Sequence, residues 1–272
     1  MDIDFVVNCY ERTYRDVLRP GFVADLARQQ GVSFASVTVL VNNVGDRGDA
    51  ERIAKQLLTA PGSGVTRTLF VADEIGRALH LAGLKPRHIA RLPHFSDCCL
   101  VAATIDGPDL LVYWDADATL DQPHNWITPS LAYLAGHPAV AIANPDNWHK
   151  GLAVREALCV DGAFAIGYGF SDVAFLARRS ELRGRIYREF APAAWRYPMA
   201  HIEPIFEQRV DGYMRRHRRL RATYLGAVVR HLDPAGLNYP TPGFRGRARR
   251  KAFHHLGRLA SLSHHPAMRP WD

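Results

Sequence analysis

Through the first two-thirds of the chain, short apolar runs alternate with stretches whose apolar residues recur every three or four positions. That alternation marks βα units and predicts an α/β fold with a mainly parallel central sheet flanked by helices. Residues 3–7 read as the first strand and 37–41 as the second. Between them, residues 21–30 place Phe22, Val23, Leu26 and Ala27 on one helical face, with Pro20 ahead and Gly31 as a stop signal. Helical spacing returns at 49–58 through Ile53, Ala54, Leu57 and Leu58. A short strand is expected at 69–72, then helices at 73–84 and 95–105, the second capped by Ser96 or Asp97.

The run Asp109-Leu-Leu-Val-Tyr-Trp reads as a compact buried strand that ends in Asp115-Ala116-Asp117. Beyond it the pattern predicts a helix at 123–136, a strand at 139–143 and a Gly-rich β-like stretch at 159–177. A helix at 203–217 and a late strand at 223–229 follow. No internal repeat is visible. After Pro240 the chain turns rich in Pro, Gly, Arg and His, which divides it into a domain over 1–240 and a basic tail over 241–272.

Composition narrows the class. A hydrophobic share of 47% over 272 residues is ample for a packed core and excludes wholesale disorder. No apolar stretch approaches the roughly 20 residues that span a bilayer. The opening MDIDFVVNCY carries acid where a secretory signal would carry Lys or Arg, so a soluble cytoplasmic protein is expected. The four cysteines, Cys9, Cys98, Cys99 and Cys159, form no CxxC pair, which argues for reduced thiols rather than a disulfide framework or structural zinc.

The net charge of +7 is uneven. Residues 209–230 hold seven Arg against one Asp, and 241–272 hold seven Arg and Lys against one Asp. A mildly acidic body with a basic final third points to an anionic partner: a phosphorylated acceptor, an anionic membrane or a nucleic acid. A solvated helix face with a loose tail explains the same charges. Aromatic-interleaved RNA motifs are absent, so nucleic acid is not expected.

Ligands of open α/β sheets gather at the carboxyl ends of strands, which is where Asp115 and Asp117 fall. Residues i and i+2 share a strand face about 6.6 Å apart, and a bend at the strand end brings both carboxylates toward one ion. Mn²⁺ and Mg²⁺ favour oxygen ligands, and Mg²⁺ takes one or two carboxylates plus substrate phosphates. Two uncompensated carboxylates repel, so the pair makes physical sense around a divalent cation. A polar strand exit with a capping Asp is the alternative.

At this point the chain resembles the GT-A glycosyltransferases, the nucleotide-diphospho-sugar transferase superfamily, and in particular their family-2-like inverting members. The likeness runs from residue 3 to about residue 232. FVVNCYER resembles the first strand and its TYNR-type loop, with Tyr10 and Arg12 in matching places. VLVNNVGDRGD resembles the VDDGSxD segment, with Asn42 and Asn43 where acids are usual. HFSDCCLVAATIDGPDLLVYWDAD resembles the helix and strand leading into a DxD motif, with His94 and Asp97 at the helix start. FSDVAFLARRSEL, with Ser171 and Asp172, resembles the acceptor-side strand. HIEPIFEQR resembles the ED-x-DL-x-x-R segment and puts Glu203 at the place of the catalytic acid. VVRHLD resembles the late strand whose His, here His231, completes the metal shell.

The resemblance implies a metal-dependent glycosyltransferase that moves a sugar from a UDP-, GDP- or dTDP-sugar to an acceptor hydroxyl, with inversion. Asp115, Asp117 and His231 would hold Mn²⁺ or Mg²⁺, while Tyr10, Arg12, Asn42, Asn43, His94, Asp97 and Ala116 would border the nucleotide. Glu203 would take the acceptor proton, and Trp148, Ser171 and Asp172 would line the sugar or acceptor pocket. Each has a structural rival: a first-turn helix acid for Glu203, a surface His for His231, a cap for Asp97, a β-turn for Ser171 and Asp172, a core cover for Trp148. A lipid-phosphate or polysaccharide acceptor would suit the basic final third. Phe253, Leu256 and Leu259 amid Arg249, Arg250, Lys251 and Arg258 would allow peripheral membrane contact.

The Asn42, Asn43 and Glu203 departures leave a catalytically impaired nucleotide-sugar-binding scaffold as the alternative. A nucleotidyltransferase ranks lower because no Gly-rich loop follows the first strand. GxGxxG and GxSxG are both missing, which argues against a Rossmann oxidoreductase and an α/β hydrolase.

Overall fold

The first strand is apolar along nearly its whole length because both its edges and both its faces are covered. In the computed structural model, which describes residues 2–147, 151–197, 199–232 and 243–262, β1 (Ile3–Cys9) pairs with β2 (Ser36–Val41) on one side and β4 (Leu110–Trp114) on the other. Both pairings are parallel, and β3 (Arg67–Phe70) adds a third parallel partner beyond β2. Buried on both faces, these strands carry Val, Ile and Leu without polar alternation.

The remaining strands are β5 (Ala118–Leu120), β6 (Val140–Asn147), β7 (Cys159–Asp161), β8 (Phe164–Gly167), β9 (Ala174–Arg178) and β10 (Leu220–His231). The sheet runs β3-β2-β1-β4-β9-β6-β10-β8-β7, with β5 paired to β10. Strand β9 returns antiparallel into the gap between β4 and β6, and β6 and β10 are parallel. This is the α/β class that the periodicity predicts, with the parallel half confined to β3-β2-β1-β4 and the β6–β10 pair.

Helices cover both faces. Phe22–Gln29 and Arg47–Thr59 pack their apolar stripes into one buried cluster, whereas Val71–Leu81 and Asp97–Thr104 pack into the other. Asp46 caps Arg47–Thr59 by accepting from the Asp49 amide. The helix expected from residue 203 begins instead at Phe206 and ends at Arg216. Pro204 restricts the residue before it, which holds Glu203 in the preceding turn. Residues 244–262 of the basic tail form a helix, docked through a Phe253–Trp195 ring contact at 5.1 Å and through Gly257 against the Arg196 backbone. No helix among the described residues is long and apolar enough to cross a membrane.

The amino-terminal edge of the sheet is fastened by a buried ion pair. Arg179 Nη2 meets Asp4 Oδ2 at 2.6 Å, with both side chains almost fully enclosed. Ser36 and Thr38 hydroxyls donate to the other Asp4 oxygen at 2.6 and 3.2 Å.

Candidate active site

Strand order reverses beside β1: the chain proceeds to β2 on one side and later reaches β4 on the other. The loops after these two strands diverge and leave a crevice at the carboxyl edge. Tyr10, Arg12 and Thr13 come from the loop after β1, and Ala116 and Asp117 from the loop after β4. Together with Asp16, Val17, Phe22 and Leu232 they line a cavity of about 230 Å³. Four of the predicted residues, Tyr10, Arg12, Ala116 and Asp117, are thus brought around one space.

Asp115 stands directly after β4, and its carboxylate accepts from Asn8 Nδ2 at 2.6 Å. Asn8 Oδ1 in turn accepts from the Ala116 amide at 3.1 Å. One side chain at the end of β1 therefore fixes both a carboxylate and the backbone of the DxD turn. The sequence reading passes over Asn8; its signal is the β1–β4 pairing, which puts the ends of those strands side by side. The Asp115 amide donates to Val173 O at 2.8 Å, bringing Asp172 alongside because β9 starts where β4 finishes. Asp117 receives His231 through the antiparallel β5–β10 pairing, in which His231 lies opposite Ala118. His231 Nδ1 is 3.4 Å from Asp117 Oδ1.

A further acid completes the group. Glu207, in the first turn of helix Phe206–Arg216, accepts from the Asp172 amide at 3.2 Å. In sequence Glu207 is an ordinary first-turn helix acid, and only the folded Asp172 loop sets it beside that acid. Burial, then repulsion from Asp117 and Asp172, pushes the Asp115 carboxyl well above the usual range. Burial raises Asp172 to about 6, and burial followed by the Asp172 charge raises Glu207 well above a normal glutamate. His231 is the cationic influence on Asp172, and Arg196 is the one on Glu207.

Among the described residues, no three His, Cys, Asp or Glu side chains converge as a ready-made metal cage. Asp115 and Asp117, with His231 beside the latter, nonetheless suit a hard divalent ion that keeps positions for water and substrate phosphates. The leading electrostatic influences on Asp115 include no arginine or lysine that would plug the place.

The other predicted residues have different surroundings. Glu203 is buried, and its Oε2 accepts from the Arg91 and Leu92 amides at 3.1 and 3.0 Å. It shares no hydrogen bond or ion pair with the carboxylate group, and it ties the 86–95 segment to the turn before the helix. Asn42 is buried and donates to Asp97 Oδ1 at 3.0 Å, while burial pushes Asp97 up to about 6. Neither lines the 230 Å³ cavity. Asn43 is exposed with a φ of 45°, a left-handed conformation that Asn tolerates better than most residues. His94 is exposed, with its ring against Phe95 at 4.4 Å. Ser171 lines a larger cavity of about 900 Å³ that also reaches Glu207. Trp148 lies outside the described residues.

Neither a protein-family model nor a curated protein matches the chain. Among solved structures, it is similar to M. tuberculosis glucosyl-3-phosphoglycerate synthase at 16% identity and a TM-score of 0.43, covering 97% of this chain and 80% of that one. It is similar to residues 1–349 of S. aureus TarS at 9% identity and a TM-score of 0.44, covering 98% and 73%. A third likeness is to the galactosyltransferase LgtC, at 13% identity and a TM-score of 0.39, covering 94% and 95%. At these values the likenesses carry no functional argument, and the account of function rests on the side chains of this chain.

Proposed function

We propose that the chain is a metal-dependent glycosyltransferase that binds a nucleotide-diphosphate sugar in the crevice between the β1 and β4 loops. The observation that carries this reading is the convergence of Tyr10, Arg12, Ala116 and Asp117 on one cavity, beside the Asp115–Asp172–Glu207 acids. Asp115 and Asp117, with His231, would hold Mn²⁺ or Mg²⁺. The bound ion would offset charge on the departing diphosphate, a Lewis-acid contribution of about several kcal/mol.

The protein groups divide the remaining tasks. Tyr10 and Arg12 border the nucleoside and its phosphates, and Asn8 orients Asp115. Glu207 takes the proton from the acceptor hydroxyl as that oxygen attacks the anomeric carbon, and the nucleoside diphosphate leaves from the opposite face with inversion. A carboxylate whose affinity for protons is raised by burial is a stronger base once ionised, which suits this task. Glu203, with one oxygen committed to two backbone amides, keeps the architecture in place.

The M. tuberculosis synthase has been crystallised with Mn²⁺, UDP and phosphoglyceric acid. Leu256 and Leu259, 50% and 64% exposed amid basic residues, would let the final helix rest on an anionic bilayer. The test of function is titration of UDP, GDP and dTDP with and without Mn²⁺, followed by nucleotide release from the matching sugar donor. Metal-dependent binding with release supports the transferase. Tight binding without release supports a scaffold that has lost turnover.

A further inference from the structure

The 900 Å³ cavity that begins at Ser171 and Glu207 is walled by an unusual excess of positive charge. Arg155, Arg196, Arg215, Arg221 and Arg258 line it, against Glu156 and Glu207 as the acids. Two of the arginines are satisfied within the fold. Arg196 meets Glu156 at 2.9 Å, and Arg215 meets Asp211 at 2.8 Å while lying over the Tyr168 ring.

Arg221 is different. It sits on β10, its Nε is buried without an acceptor, and its guanidinium makes no hydrogen bond or ion pair among the described residues. A Cβ added at Gly169 would lie 2.5 Å from Arg196 Nη2 and 3.3 Å from Arg221 Nη1, so both groups crowd the same backbone position. Gly169 allows this because it has no side chain and because its φ is +112°, which L residues rarely adopt. Burial opposes the charged form of Arg221 most strongly; Tyr197, Glu156 and Asp211 offset part of that, and the Arg196 charge adds to it.

A buried cation without a partner, held beside a like charge, costs stability unless something else supplies the negative charge. Glu156 and Asp211 favour the charge of Arg221, but their direct ion pairs are with Arg196 and Arg215, and the cavity is open to a ligand. We propose that the Arg196–Arg221 pair, facing Gly169, binds an oxyanion group carried by the acceptor, a phosphoryl or carboxylate group. Planar guanidinium forks match such oxygens in bidentate geometry. Since the same cavity reaches Glu207, an acceptor anchored by its anion at Arg221 presents a hydroxyl toward the acid assigned as base. The inference deepens the transferase reading by giving its acceptor a chemical class, and rests on that reading for the word acceptor alone.

The experiment compares wild type with Arg221→Gln, which keeps most of the volume and removes the charge. Calorimetric titration uses four probes: inorganic phosphate, glycerol 1-phosphate, glycerate, and vesicles of phosphatidylcholine with phosphatidic acid. At least one should bind wild type and lose ten-fold or more in affinity in Arg221→Gln. The probe that binds most tightly identifies the source as a free phosphate ester, a carboxylate or a lipid headgroup. The melting temperature of Arg221→Gln should equal or exceed that of wild type, whereas a structural role for Arg221 requires it to fall. Arg258→Gln, an exposed position on the same wall, provides a second variant expected to weaken the same probe. Equal binding of every probe by wild type and both variants, or no binding by wild type, overturns the anion site. Mn²⁺-dependent nucleotide binding, measured in the same variants, should not change; its absence in wild type would refute the donor reading while leaving the anion result standing by itself.

Discussion

Asn8 Nδ2 donates to Asp115 Oδ1 at 2.6 Å, joining the ends of two parallel strands whose residues lie over a hundred positions apart in sequence. The bond orients one carboxylate of the DxD turn, while the other Asn8 amide atom accepts from the Ala116 amide. Partners that orient metal-binding groups typically govern affinity by about 10–100-fold. Asn8→Ala should therefore weaken Mn²⁺-dependent nucleotide binding by roughly ten-fold or more. Calorimetric titration checks it, and unchanged affinity would show that Asp115 needs no such support.

Glu203 and Glu207 are predicted to separate cleanly. Glu203→Ala leaves the Arg91 and Leu92 amides without their acceptor, at a cost of about 1–3 kcal/mol for each buried donor left unsatisfied. A lower melting temperature with turnover retained per folded molecule is expected. Glu207→Gln should keep donor binding and lower transfer by about 10²–10⁴-fold. Initial rates alongside thermal melts distinguish the two, and the opposite pattern would restore Glu203 as the base.

Asp97 gives a pH signature independent of turnover. Burial raises its carboxyl from 3.8 to about 6 in the folded protein. The folded state thus holds the proton more tightly than the unfolded chain, and the stability this confers is full below about pH 4 and lost as the pH rises through 6. Asp97→Asn keeps an oxygen for the Asn42 and Cys98 donors without the charge. It should gain on wild type by about 2–3 kcal/mol between pH 4 and pH 8, at about 1.4 kcal/mol per unit. Urea unfolding at the two values checks this, and a constant difference would contradict it.

Arg179→Met tests the far edge of the sheet. It leaves Asp4 with only the more distant Arg67 guanidinium, at 3.5 Å, and should cost up to about 3–5 kcal/mol. The companion Asp4→Asn, Arg179→Met pair should recover part of that loss. Urea midpoints for the three variants measure it; additive losses would mean the two side chains act independently.

Much of the fold is legible in the sequence because burial on both faces forces long apolar runs. Residues 3–7, 37–41 and 109–114 all fall within or beside observed strands, and the 21–30 and 49–58 helices match to within two residues at each end. Pieces shorter than a turn or two escape periodicity, as with β5 and the helix Tyr14–Val17. The basic helix Phe244–Leu262 was hidden by its Gly and Arg content, since its packing rests on Phe253 and the bare backbone of Gly257.

The position of Asp115 and Asp117 directly after a buried strand is legible from the sequence. The site is illegible where tertiary pairing decides. Asn8 and Glu207 are an ordinary strand residue and an ordinary helix acid until β4 and the Asp172 loop are folded against them. The Asn42–Asp97 hydrogen bond is likewise invisible in sequence, because it joins residues 55 positions apart.

Titration of UDP into wild type and Asp117→Ala, each with and without Mn²⁺, tests whether Asp115 and Asp117 hold a divalent ion that clasps a nucleotide diphosphate. Wild type should bind only with Mn²⁺, and Asp117→Ala should not bind. Equal UDP affinity in all four titrations would contradict this.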